Sequence, residues 1–151
     1  MSDRKKITIR TLFDKVQEGE PISWLTCYDY PTAYFQEEAD IEMILVGDSL
    51  GMTMLGYDST LPVTMNDMIR HTQAVRRGAP TAFLVGDMPY MSYANPEQAL
   101  GNAARLVAEG GADMVKLEGG QDKADIVRHL VDHDIPVCGH IGLLAQCIEE
   151  L

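Results

Sequence analysis

Basic residues are scarce in this chain and cysteines scarcer. Lys and Arg number 12 against 23 Asp and Glu, giving a formal net charge of −11 and a pI near 4.6. Nucleic-acid binding needs clustered cations to displace counterions, so this balance argues against a polyanionic partner. The one basic pair beyond the terminus, Arg76-Arg77, falls at the end of an expected helix, where cations suit the dipole. Cys27, Cys138 and Cys147 are odd in number and lack Cys-x-x-Cys spacing, which suggests neither a disulfide framework nor a zinc knuckle. A reduced, cytoplasmic setting is expected. No apolar run approaches the roughly 20 residues that span a bilayer, and the charged start is not followed by a signal-like core. Nucleotide cradles of the Gly-x-Gly-x-x-Gly or Gly-x-x-x-x-Gly-Lys-Ser/Thr kind are absent.

What the chain has is a repeated pattern of short apolar runs that end in carboxylates. Met43-Ile-Leu-Val46 is too short for a helix and right for a buried strand, and it stops at Gly47-Asp48-Ser49. Ala82-Phe-Leu-Val-Gly-Asp87 and Asp113-Met-Val-Lys116-Leu-Glu118 end in the same way. The spacing predicts a leading helix between Thr8 and Gly19, a first strand over 22–27, and a helix entered through Tyr28-Asp29-Tyr30-Pro31. A long irregular loop is expected over 51–62, then a helix capped by Thr64 and Asp67 and stopped by Gly78. Strand three is expected over 81–85. A helix starting at Asn95-Pro96 and stopping at Gly110-Gly111 follows, then strand four over 113–117, a helix over 122–133 and a fifth strand over 135–139.

Strict alternation implies one α/β domain with a parallel sheet and right-handed crossovers. The pattern alone leaves a doubly wound sheet and a (β/α)8 TIM barrel open. Acids at the ends of strands two, three and four together favour the barrel, because a doubly wound site concentrates at one switch point.

Asp48, Asp87 and Glu118 are hard oxygen donors of the kind Mg²⁺ prefers; the blander alternative is that each is a cap or loop residue. Lys116 lies two residues before Glu118, so both point to the same face of the strand, where a lone charge is costly. That Lys suits a substrate carboxylate or oxo group, or else a charge pair snorkelling at the strand end. His140 would face the mouth as a site residue or as a structural histidine. His129 and His133 have i, i+4 spacing without the Glu of a zinc protease, and read as a solvated helix end. Asp29 reads better as a helix cap than as a fourth site acid.

Taken in order, Val46-Gly-Asp-Ser-Leu-Gly-Met52, Asp58-Ser-Thr-Leu-Pro-Val-Thr64, Asp87-Met-Pro-Tyr-Met91, Met114-Val-Lys-Leu-Glu-Gly-Gly120 and Pro136-Val-Cys-Gly-His-Ile-Gly-Leu143 resemble the ketopantoate hydroxymethyltransferase family. The resemblance implies a (β/α)8 barrel that transfers a one-carbon unit from 5,10-methylenetetrahydrofolate to 3-methyl-2-oxobutanoate, on the route to pantothenate and coenzyme A. It implies Mg²⁺ held by Asp48 and Asp87 with Glu118 completing the acidic surround. Ser49 and Lys116 would bind the oxo acid and His140 would lie near it. In the family the general base is a Glu on the later half of the barrel, which places no catalytic base within residues 1–151. A full barrel takes about 250 residues, so the chain reads as a partial barrel of five strands in which 144–151 departs from the family pattern. Open sheet edges on such a half would favour homo-oligomers or a partner chain. The competing functional readings are an inactive fragment that binds Mg²⁺ and oxo acid, and another Mg²⁺-dependent 2-oxo-acid barrel such as a lyase or mutase.

Overall fold

A computed structural model describes residues 4–147 of the chain. Its elements follow one another as α1 (Ile9–Glu18), β1 (Trp24–Thr26), α2 (Tyr30–Glu38), β2 (Met43–Val46), α3 (Leu50–Thr53), α4 (Met65–Gly78), β3 (Phe83–Asp87), α5 (Pro96–Ala108), β4 (Met114–Glu118), α6 (Ala124–Val131) and β5 (Val137–His140). A 3-10 turn, Gln121–Lys123, precedes α6, and another, Ala145–Cys147, follows β5.

The helices begin where side chains satisfy the free N–H groups of the first turn. Thr8 and Thr64 form reciprocal capping boxes with Thr11 and Asp67, Asp29 caps α2 and Asn95 caps α5 ahead of Pro96. Gly19 ends α1 in the left-handed conformation, φ 73°, that a side chain would strain. Asp29 is thus the helix cap that the sequence favours.

All five strands are parallel and lie in sequence order, β1-β2-β3-β4-β5. A doubly wound sheet reverses its strand order at a switch point; this one never does. One face of the sheet, Ile44, Val46, Leu84, Val115 and Leu117, packs in a single core with Ala33 of α2, Met68, Ile69 and Val75 of α4, Ala103 and Leu106 of α5, and Ile126 and Leu130 of α6. The other face, Met43, Phe83 and Val85 with Leu45, Met114 and Cys138, is covered at its lower end by Ile7 and Leu12. A helical layer on one face and an inner face closed from below by α1 is the arrangement of a barrel wall.

Two glycines set how closely the layers approach. A Cβ on Gly78 would lie 2.5 Å from the Tyr30 carbonyl oxygen, and one on Gly86 would lie 2.7 Å from Leu106 Cδ2.

Three expectations need adjustment. The 51–62 stretch is not all loop, because α3 occupies Leu50–Thr53, with Leu50 buried in the core. Strand three runs to Asp87 rather than stopping at Val85: the parallel ladder continues beyond the apolar run by pairing Gly86 with Val46 and Val115, and Asp87 with Lys116. The first strand is only Trp24–Thr26, an exposed edge paired to β2 alone. Residues 148–151 of the tail lie outside the described residues. Among the described residues, no helix is long and apolar enough to cross a membrane.

Candidate functional site

The inner face of the sheet changes character from bottom to top. Its lower rows are apolar, Val85 beside Met114; the next row sets Asp87 beside Lys116 and Cys138, and the last sets Glu118 beside His140. The period of two residues in a strand produces this directly, since 85 and 87, and 114, 116 and 118, share a face. Asp48 joins from the turn after β2. Asp48, Asp87, Lys116 and Glu118 are each at most 8% exposed.

Every one of these charges is engaged. Lys116 Nζ donates to Asp87 Oδ1 at 2.7 Å and lies 3.8 Å from Glu118 Oε1. The Asp48 N–H donates to Asp87 Oδ2 at 3.3 Å. His140 Nδ1 meets Glu118 Oε1 at 3.0 Å, so with Glu118 ionised the ring proton sits on Nδ1. Ser49 Oγ and Tyr28 Oη share a 2.7 Å hydrogen bond at the rim.

Three carboxylates face one ammonium here, and burial penalises their charged forms. Burial pushes the Asp87 carboxyl up to about 7; Lys116 opposes the shift, and the Asp48 charge adds to it. Asp48 is also raised, chiefly by burial, against a hydrogen bond from Gln146 and the attraction of Lys116.

Gln146, Tyr93 and Tyr28 carry no pattern in the sequence that marks them as site residues. Gln146 sits in the turn after β5, and its Nε2 donates to Asp48 Oδ2 at 2.7 Å. Position after a strand of a parallel sheet is the signal that points to it. His129 and His133, by contrast, lie in and just beyond the end of α6, where His133 Nδ1 meets the His129 carbonyl at 2.7 Å and His129 Nε2 lies 3.8 Å from Glu97 Oε1.

Beside the charged row, a cavity of about 410 Å³ opens on the inner face, lined by Trp24, Thr26, Leu45, Lys116, Cys138 and His140 among others. Its lining is mostly apolar and includes the Lys116 ammonium and the His140 imidazole.

The family model for ketopantoate hydroxymethyltransferase matches residues 6–151, a span that includes the tail. The 3-methyl-2-oxobutanoate hydroxymethyltransferase of Thermoanaerobacter sp. (strain X514) is 56% identical over 148 residues, 97% of this chain and 54% of the relative. That of Koribacter versatilis (strain Ellin345) is 52% identical over 149 residues, 98% of this chain and 50% of the relative. The chain spans about half the length of the curated relatives it matches.

Among solved structures, a phosphonopyruvate hydrolase superposes with a TM-score of 0.69 at 13% identity, covering 90% of this chain and 52% of that one. A 2,3-dimethylmalate lyase of the PEP mutase/isocitrate lyase superfamily gives 0.67 at 15%, covering 86% and 51%. A phosphonopyruvate hydrolase in complex with oxalate and Mg²⁺ gives 0.61 at 14%, covering 72% and 38%. At these identities the likeness shows the fold, an α/β sheet of TIM-barrel type of which this chain supplies five strands. Identity above one half along nearly the whole chain, together with the family model's match, shows more: this chain belongs to the ketopantoate hydroxymethyltransferase family.

Proposed function

We propose that these residues form the cation- and oxo-acid-binding part of a 3-methyl-2-oxobutanoate hydroxymethyltransferase, an enzyme that uses 5,10-methylenetetrahydrofolate as its one-carbon donor. The observation that carries the reading is the single buried mouth in which Asp48, Asp87, Lys116 and Glu118 meet at the strand ends.

The donor set fits a hard divalent cation. Two carboxylates in excess of the one ammonium lie out of water, and a cation relieves the charge that burial makes costly. Among the described residues no group of three or more His, Cys, Asp or Glu side chains forms a metal cage. Mg²⁺ does not require one, since it is commonly held by one or two carboxylates, with waters and substrate oxygens filling the rest of its octahedron. Asp48 and Asp87 are assigned as ligands, and Glu118 as the outer acid that balances Lys116 and His140. When bound, Mg²⁺ supplies Lewis-acid polarisation of the oxo acid and stabilises the negative charge that develops as carbon 3 loses its proton.

The protein's own groups then divide the work. Ser49, held by Tyr28, and the Lys116 ammonium anchor the carboxylate and oxo oxygens, and His140, fixed by Glu118, lies beside them. Leu45 and Trp24, which line the cavity, offer apolar contact to the branched alkyl end. By the family resemblance the acceptor of the carbon-3 proton is a Glu outside residues 1–151, so residues 1–151 by themselves bind and orient without rapid turnover. A missing general base typically costs about 10²- to 10⁴-fold.

Calorimetric titration of 3-methyl-2-oxobutanoate, with and without Mg²⁺, tests the reading. Binding should be strongly Mg²⁺-dependent, and Asp48→Ala should abolish most of that dependence. Equal binding in the presence and absence of the cation would overturn it.

A further inference from the structure

Gln146 is 4% exposed, and each polar atom of its side-chain amide has a partner. Nε2 donates to Asp48 Oδ2 at 2.7 Å and to the Met88 carbonyl at 3.0 Å. Both partners only accept when Asp48 is ionised, which fixes the NH₂ end of the amide. The Tyr93 hydroxyl donates to Oε1 at 2.5 Å and itself accepts the Glu118 N–H at 3.3 Å. The backbone N–H of Gln146 donates to Glu118 Oε2 at 3.1 Å. A single residue from the turn after β5 therefore grips both Asp48 and Glu118, from the ends of β2 and β4.

The bonds are selective about which oxygens they use. Gln146 takes Oδ2 of Asp48, and Oδ1 accepts no hydrogen bond among the described residues. On Glu118 it takes Oε2, leaving Oε1 to His140 and Lys116. An amide that saturates one oxygen of a carboxylate and is itself locked by a buried tyrosine fixes the rotation of that carboxylate. Such a partner commonly orients a ligand group and raises its affinity for the ion.

We propose that Gln146, locked by Tyr93, is a positioning residue for the cation site, holding Asp48 by Oδ2 so that Oδ1 is presented to a divalent ion. The assignment rests on the cation reading given above. It brings the turn after β5 into the machinery of a site whose carboxylates come from the ends of strands two to four.

The test is calorimetric titration of Mg²⁺ into the full chain, its Gln146→Met and its Tyr93→Phe variants, with oxo-acid binding measured separately in the absence of the ion. Gln146→Met keeps length and bulk but removes the donor, and should weaken Mg²⁺ binding by about 10- to 100-fold. Metal-free oxo-acid binding should change little, because Ser49 and Lys116 are untouched. Tyr93→Phe removes one hydroxyl, weakens Mg²⁺ in the same direction by less, and decides the matter alone if Gln146→Met does not fold. Unchanged Mg²⁺ affinity in a folded variant overturns the role of Gln146 while the functional reading stands. Loss of metal-free oxo-acid binding in step with the ion also overturns it, as general distortion. No Mg²⁺ binding by the unsubstituted chain overturns the functional reading and the positioning role together.

Discussion

Lys116 is the ammonium on which the buried charges at the mouth depend. Its side chain is 10% exposed and that of its partner Asp87 is 3% exposed, so the pair is shielded from water and from salt. Removing one member of a buried pair leaves an uncompensated charge and typically costs about 3–5 kcal/mol. Lys116→Ala should lower the stability of the metal-free chain by that order in urea denaturation, and saturating Mg²⁺ should recover part of the loss by compensating Asp87. The same variant should weaken the oxo acid more than the ion. A stability equal to that of the parent chain would show that Asp87 is already neutral and the pair is not an ion pair. The carboxylates of this site were legible because each closes an apolar run in the sequence, and Lys116 because it shares a strand face with Glu118. Gln146 and Tyr93 were not: a neutral amide 98 residues from the carboxylate it grips leaves no mark on local composition, and only the folded sheet brings the two together.

Among the elements, α1 is tied to the sheet by one carboxylate. Glu42, just before β2, accepts from Lys15 Nζ of α1 at 2.8 Å, from the Ser23 N–H at 2.7 Å, and from the Ser23 hydroxyl. Burial opposes its ionisation, but the bonds from Lys15 and Ser23 outweigh burial and hold the carboxyl down at about 2. A folded-state value below the ordinary 4.5 means that the clamp contributes its full stability above pH 4.5 and loses it as pH falls toward 2. Thermal midpoints measured between pH 5 and pH 2 should fall, and Glu42→Gln should start lower and fall less steeply. Identical slopes would remove Glu42 from the acid response. Helix starts were legible at this scale, since Thr8, Asp29, Thr64 and Asn95 each carry a capping oxygen at the right offset. The short α3 was not, because its four residues include Gly51 and lack periodicity. Tertiary packing holds it instead: Leu50 is fully buried, and a Cβ on Gly51 would come within 2.5 Å of Val63.

Over the whole molecule, the sequence's alternation of strands and helices implied a parallel sheet and the acids at the ends of strands two to four favoured a barrel; the unbroken strand order and the one-sided helical layer bear that choice out. That choice matters for function, because in a barrel the chemistry gathers at the carboxyl ends of successive strands. Here those ends bring Asp48, Asp87, Lys116, Glu118 and His140 to one mouth, with the apolar inner face beneath them. The central claim is that a divalent ion at Asp48 and Asp87 is shared with the carboxylate and oxo oxygens of a 2-oxo acid. Electron paramagnetic resonance of Mn²⁺, used as the probe ion with 3-methyl-2-oxobutanoate labelled with ¹⁷O at those oxygens, reads that contact directly. The account predicts line broadening by the labelled acid that disappears in Asp48→Ala; an unbroadened spectrum from a chain that binds both Mn²⁺ and the acid would contradict it.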